Sequence, residues 1–203
     1  MSTPASSVTS TSAADPRSQA ILAAGFEAFR RYGYRRTSME DIAQEAGMSR
    51  AALYLHYRNK QDIFRSLVQG YFEQTEQRMQ AVLSSGVKPK AALLAAFSAK
   101  LGPEMEALLN SAHGAELLDA NFSAAGDIVA TGEARLIAIL ADWLRREAEA
   151  KRITLAAGDG DAEALAATMI AALGGLKAPG VSFDGLRASA QRLALLFARG
   201  LKA

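Results

Sequence analysis

The sequence predicts an all-α chain that opens with a helix-turn-helix, and three observations carry that prediction. Apolar residues recur at spacings of three and four, and no run beyond Phe64 alternates with period two. The stretch from Thr37 to Phe64, TSMEDIAQEAGMSRAALYLHYRNKQDIF, reads as a helix, a tight turn and a second short helix, the sequence form of a DNA-reading device.

In the first of these helices Thr37 and Ser38 are the N-cap candidates. Glu40 stands three residues after Thr37 in capping-box register, and Asp41 favours the positive helix end. Met39, Ile42, Ala43 and Ala46 form its buried face, and Gly47 follows where a left-handed C′ residue costs glycine least. Met48 is the apolar plug of the turn, and Ser49 is the next N-cap candidate. From Arg50 the second helix turns Leu53 and Tyr57 inward at i and i+4, while the small residues Ala51 and Ala52 let its backbone approach a surface closely. The Arg50 guanidinium has the fork that pairs with phosphate or with the O6 and N7 edge of guanine, and Tyr54, His56 and Lys60 add donors further along. Singly, each has an ordinary reading: a solvated arginine, a half-buried tyrosine, a surface histidine. Their co-occurrence after a helix-turn-helix points to DNA.

The later helices follow the same periodicity. Residues 61–84 form one helix with Ile63, Phe64, Leu67, Val68, Tyr71, Phe72, Met79 and Leu83 on its apolar side, stopped by Gly86 and Pro89. Further helices are expected at about 89–101, 103–113, from the 120s to about 151, at 160–176 and at 183–201, punctuated at Gly102-Pro103, His113-Gly114, Gly158-Asp159-Gly160, Gly174-Gly175 and Pro179-Gly180. The last two carry apolar residues over most of their faces: Ala162, Ala166, Met169, Ile170, Leu173 and Gly174 on one, Leu186, Ala190, Leu193, Leu196, Phe197 and Leu201 on the other. Such a pair makes either an intramolecular hairpin or a packing surface for a second subunit, and the residues alone leave both open.

Composition narrows the function classes. The chain has no cysteine, which removes disulfides, thiolate metal sites and cysteine nucleophiles. The first 15 residues are rich in Ser, Thr and Ala without large apolar side chains and read as a disordered tail rather than a secretory signal. No stretch approaches the ~18 apolar residues that span a membrane. Residues 1–65 carry nine Arg and Lys against six Asp and Glu, with Arg30, Arg31, Arg35 and Arg36 clustered just before the helix-turn-helix, so the basic excess lies beside the reader. No GxGxxG, GxxxxGK[ST] or HExxH occurs, and no catalytic residue or cofactor is expected. His113, Glu116 and Asp119 have a spacing that a divalent ion tolerates, but a cap and a His113–carboxylate hydrogen bond explain them more simply, so no metal is expected.

The segment AQEAGMSRAALYLHYRNKQDIF resembles the DNA-binding signature of the TetR family of bacterial transcriptional regulators. The shared pieces are Thr37, Ile42-Ala43, Ala46-Gly47-Met48-Ser49, Leu53-Tyr54, His56-Tyr57, Lys60 and Phe64. The upstream segment Arg17 to Gly33, leading into Tyr34, is similar to that family's first helix. The resemblance implies a helix-turn-helix DNA-binding domain over 16–64 after the 1–15 tail, and a helical effector-binding and dimerisation domain over 65–203. It implies that Arg50, Ala51 and Ala52, following Ser49, meet base edges, and that Tyr54, His56 and Lys60 hold phosphates. Thr37 and Ser38 would donate backbone N–H and hydroxyl groups to a neighbouring phosphate. Position 55, Leu here, departs from the aromatic or polar residue of many relatives. The resemblance further implies a homodimer formed by the two C-terminal helices, matched to a palindromic operator on double-stranded DNA, and a cytoplasmic location. A small hydrophobic effector would bind among the middle helices, at Phe97, Met105, Leu108, Leu109, His113, Leu117, Phe122, Ile139, Trp143 and Met169. The expected function is a ligand-released repressor. The alternative is an activator, or a ligand-independent DNA-binding protein, of the same fold.

Overall fold

A computed structural model of the chain describes residues 15–177 and 180–202, apart from the side chains of 120–122. The expected tail, but for Asp15, and the Pro179 break lie outside the described residues. Among those residues the chain forms nine α-helices, one 3-10 turn at Ala156–Gly158 and no strand.

Helix α1, Pro16–Tyr32, begins with Pro at its first position, where a missing N–H costs nothing, and Gly33 closes it at φ +82°. Helix α2, Met39–Glu45, is capped by Ser38 rather than Thr37: Ser38 Oγ accepts from the Asp41 N–H, and Asp41 returns the bond to the Ser38 N–H. The capping box is thus one residue later than the sequence suggested. Gly47 at φ +64° makes the turn, and Ser49 caps α3, Arg50–Tyr54, by accepting from the Ala52 N–H. Asn59 caps α4, Lys60–Leu83. Ile21, Phe29, Ile42, Leu53 and Ile63 form the buried centre of this N-terminal part. The rings of Phe29, Tyr34 and Phe64 close it, with centroids 4.8–5.6 Å apart.

Helices α5, Pro89–Lys100, and α6, Pro103–Leu109, both start on proline, and α6 ends earlier than expected. The largest departure is α7, Gly114–Glu149, which starts at Gly114 instead of in the 120s. Its backbone is non-helical at Ala125 (φ −141°, ψ 25°), beside Gly126, which makes a kink within the longer helix. Gln61 and Arg65 of α4 both donate to the Ala124 carbonyl at this kink. Further along, a Cβ at Gly132 would collide with the Phe72 ring, so only glycine lets α4 and α7 approach this closely.

Helix α8, Ala162–Gly175, packs on α7, and α9, Phe183–Gly200, packs on α5. Most of the apolar residues named on these two helices are used within the chain itself. Ala162, Ala166, Met169, Ile170 and Leu173, together with Leu186, Ala190 and Leu201, are buried in their own chain, and Gly174, Leu193 and Phe197 are half-buried. Leu196 is the member of that set left outside, at 63% exposure. The exposed residues of α8 are Glu163, Ala164, Thr168, Ala171 and Gly175.

Arg65 ties α4 to α7 through a bidentate pair with Asp127, both N–O distances being 2.7 Å. The Arg65 hydrogen bonds hold the Asp127 carboxyl down at about 2, from 3.8. A carboxyl depressed in the folded state stabilises fully above its unfolded pKa, and that contribution disappears as pH falls from about 4 towards 2. The stability gap between wild type and Asp127→Asn, followed by circular dichroism during urea unfolding, is therefore expected to shrink across that window. A gap that stays constant would show that the pair contributes nothing through its charge.

Candidate functional site

The outer face of α3 presents Arg50, Ala51 and Tyr54, with Ala52 half-buried and Leu53 fully buried beneath them. Arg50 lies over the Tyr54 ring, 5.5 Å from its centroid, and its Nη2 stands 3.4 Å from the Tyr54 hydroxyl. Stacking of this kind orients the guanidinium before any ligand arrives. His56 sits just past the helix, its Nδ1 4.0 Å from the Asp15 carboxylate. Leu55, next to it, is 86% exposed. An aliphatic side chain this bare at the reader face suits contact with thymine methyl groups better than contact with phosphate.

Two expected DNA contacts are engaged elsewhere. Thr37 is 2% exposed; its hydroxyl donates to the Gly33 carbonyl at 2.6 Å, and its N–H donates to the same oxygen at 3.1 Å. The turn set by the positive φ of Gly33 brings that carbonyl within reach, so Thr37 pins the α1–α2 connection instead of facing outward. Lys60 donates to the carbonyls of Tyr34, Arg35 and Thr37 at 2.7–2.8 Å, which accounts for all three of its ammonium hydrogens. Burial lowers its pKa. Both residues fasten the loop before α2 to the start of α4. Ser38 remains exposed, with its N–H and hydroxyl turned to Asp41. The loop's outward charges are Arg35 and Arg36, which the sequence showed as part of a cluster and not as site residues.

A cavity of about 1120 Å³ lies immediately behind the reader. Leu22, Phe26 and Phe29 of α1 form one wall and Phe64, Leu67, Tyr71 and Phe72 of α4 another, closed by Met105, Leu108, Leu109 and Leu117. Its polar end carries Lys100, Glu133 and Lys177. Lys100 is 1% exposed and its Nζ is 3.8 Å from Glu133. Burial first, then repulsion from Lys177, pushes its pKa down to about 8, against the opposing pull of Glu133. The Tyr71 hydroxyl donates to the Lys100 carbonyl at 2.9 Å, and burial pushes that phenol up to about 12.

The sequence matches the family model of bacterial regulatory proteins, tetR family, over residues 21–67, the stretch that holds α2, α3 and the Lys60 clamp. This N-terminal stretch is similar to the DNA-binding region of the TetR family. Among curated relatives, the HTH-type transcriptional repressor BepR of Brucella suis is 38% identical over 74 residues, 36% of this chain and 35% of that one. Matches to curated relatives span 25–43% of those proteins' lengths. Likeness of fold extends much further. A transcriptional regulator from Cytophaga hutchinsonii superposes with a TM-score of 0.76 at 18% identity, covering 93% of this chain and 100% of that one. A TetR-family regulator from Pectobacterium atrosepticum gives 0.68 at 21% identity, covering 92% and 94%.

The cavity takes in Met105, Leu108, Leu109 and Leu117 of the expected effector residues. Phe97, Trp143 and Met169 are instead core, each at most 2% exposed, and Ile139 is half-buried against that core, away from the cavity. His113 lies at a separate small cleft with Arg31, Tyr32, Arg36 and Asp41, its Nδ1 3.5 Å from Glu116. The Phe122 side chain lies outside the described residues. Sequence reasoning missed Lys100, although it continues the spacing of Leu93, Ala96 and Phe97 on the buried face of α5 and so was marked as an inward lysine.

Proposed function

We propose that this chain is a TetR-family transcriptional repressor that binds a palindromic operator as a homodimer and is released by a small molecule bound in the cavity. Residues 16–64 are the reader, and 65–203 carry the effector and dimer surfaces. Arg50, Ala51, Tyr54 and Leu55 meet the bases and adjoining backbone, with Arg35 and Arg36 beside phosphates. Ser38, Ser49, Ala52 and His56 shape or flank that face. The observation that carries the reading is that the cavity walls include α1 and α4, the helices between which α2 and α3 are fastened. A ligand that alters the spacing of α1 and α4 therefore acts on the support of the reader itself, and a two-state element biased in this way is what effector control requires.

The dimer surface is the outer side of α8 and α9, where Leu196 is exposed and Ala164, Ala171 and Gly175 allow close helix approach. The test of the whole reading is a gel-shift titration on the DNA upstream of the protein's own gene, with and without a set of apolar and amphipathic compounds. Release by at least one compound is expected, and binding indifferent to every compound would leave a ligand-independent DNA-binding protein. In the same assay Arg50→Ala should lose about 1–3 kcal/mol on operator while changing less on random DNA. Equal losses on both would reduce Arg50 to a phosphate contact.

A further inference from the structure

The reading of the cavity as an effector site leaves open what kind of molecule it takes, and its charged end answers that. Five charged side chains line it: Lys100, Lys177, Glu104, Glu133 and Asp119. Glu104 is held by a bidentate pair with Arg78, both distances 3.0 Å, and Asp119 is exposed to solvent. That leaves two lysines facing one carboxylate, Glu133, whose side chain is 42% exposed and stands no nearer than 3.8 Å to Lys100. A lysine buried to 1%, with one carboxylate at 3.8 Å and the Phe72 ring at 5.8 Å as its partners, is not explained by stability, because an apolar residue of similar length would fill the place at lower cost.

We propose that the cavity takes an amphipathic acid, whose carboxylate lies between Lys100 and Lys177 and whose apolar body runs along Phe26, Leu67, Phe72 and Leu117. The acid supplies the second negative charge that the lysine pair lacks. The lowered pKa of Lys100 fits a site that is under-neutralised when empty. The apolar walls exclude water from the body of the ligand and strengthen its charge-assisted hydrogen bonds to the ammonium groups. Glu133 is then an internal competitor for Lys100, held close enough to stabilise the unoccupied state and loosely enough to be displaced.

The proposal rests on the effector reading, and the experiment separates the two. Calorimetric titration of the full-length protein would use two matched pairs, decanoate with decanol and biphenyl carboxylate with biphenyl methanol. At least one acid should bind about ten-fold or more tighter than its alcohol, the worth of one charge-assisted hydrogen bond. Lys100→Met should bring that preference to within about three-fold, whereas the exposed Lys90→Met should leave it intact. Glu133→Gln should tighten acid binding and leave alcohol binding unchanged, an effect of opposite sign that a merely structural role of Lys100 does not produce. Acids and alcohols binding equally well would overturn the acid class and leave the effector site standing. Binding of neither class would overturn both, and an acid preference that survives Lys100→Met would overturn the assignment of the anchor.

Discussion

Leu196→Glu should turn the protein into a folded monomer that no longer holds a two-half-site operator. Leu196 is 63% exposed on α9, so a glutamate there disturbs nothing in its own subunit, and the far-ultraviolet spectrum and melting temperature should match wild type. Across a two-fold axis the same substitution occurs on both partners, bringing two carboxylates into an apolar contact that cannot neutralise them. Once the subunits part, each reader binds its half-site alone and the effective-concentration gain of the second contact is lost, a factor of roughly 10²–10⁴. Sedimentation velocity at micromolar concentration reads the first effect and operator titration the second. A wild-type monomer at that concentration, or a Leu196→Glu dimer, would move the interface elsewhere. Leu193 is a poorer probe, since it is half-buried against its own core and a charge there would unfold the helix pair before testing the dimer.

Lys60→Met should loosen the reader and leave its salt dependence alone. Removing the ammonium leaves the Tyr34, Arg35 and Thr37 carbonyls without their donor, at a cost of about 2–3 kcal/mol given what hydrogen bonds to a charged group contribute. Amide exchange in α2 and α3 should accelerate while α7 and α8 stay protected, because the clamp is local. Operator affinity falls as the reader frays, but the slope of log K against log salt stays where it was, since no phosphate contact has gone. A slope reduced by about 0.9 with undiminished protection would mean that Lys60 leaves its carbonyls to hold a phosphate, as the sequence pattern alone suggested.

Much of what depended on neighbours in the chain could be read from the sequence. Gly47, Ser49 and the apolar side of residues 61–84 announce their roles through spacings of four or fewer, and the helices appear where those signals put them. Thr37 could not be read this way: a hydroxyl before a helix looks like a cap until the fold supplies a carbonyl, here that of Gly33, that it prefers. Lys60 was legible as a cation but not as one whose three acceptors lie 23–26 residues away. The same limit governs the body. Met169, Trp143 and Phe97 are apolar whether they line a cavity or fill a core, and only the packing of α8 on α7 and α9 on α5 decides that they fill it. On α8 the wide apolar stripe concealed its direction, because alanine serves equally on the inside and on a surface meant for another helix.

The close approach of Gly132 to Phe72 makes α4 a lever with a fulcrum. From Phe72 to Lys60 is twelve residues, an arm of about 18 Å, and the cavity residues Phe64, Leu67, Val68 and Tyr71 all stand on that arm. Leu67 is about 7.5 Å from the fulcrum, and Arg65, held to Asp127 of α7, stands between it and Lys60, so a push there loads that pair on its way to the reader. At Lys60 three hydrogen bonds from the side-chain ammonium transmit the motion to the loop that precedes α2. A ligand that displaces Leu67 thus moves the reader by working against the Arg65–Asp127 pair, and the strength of that pair sets how readily the reader responds.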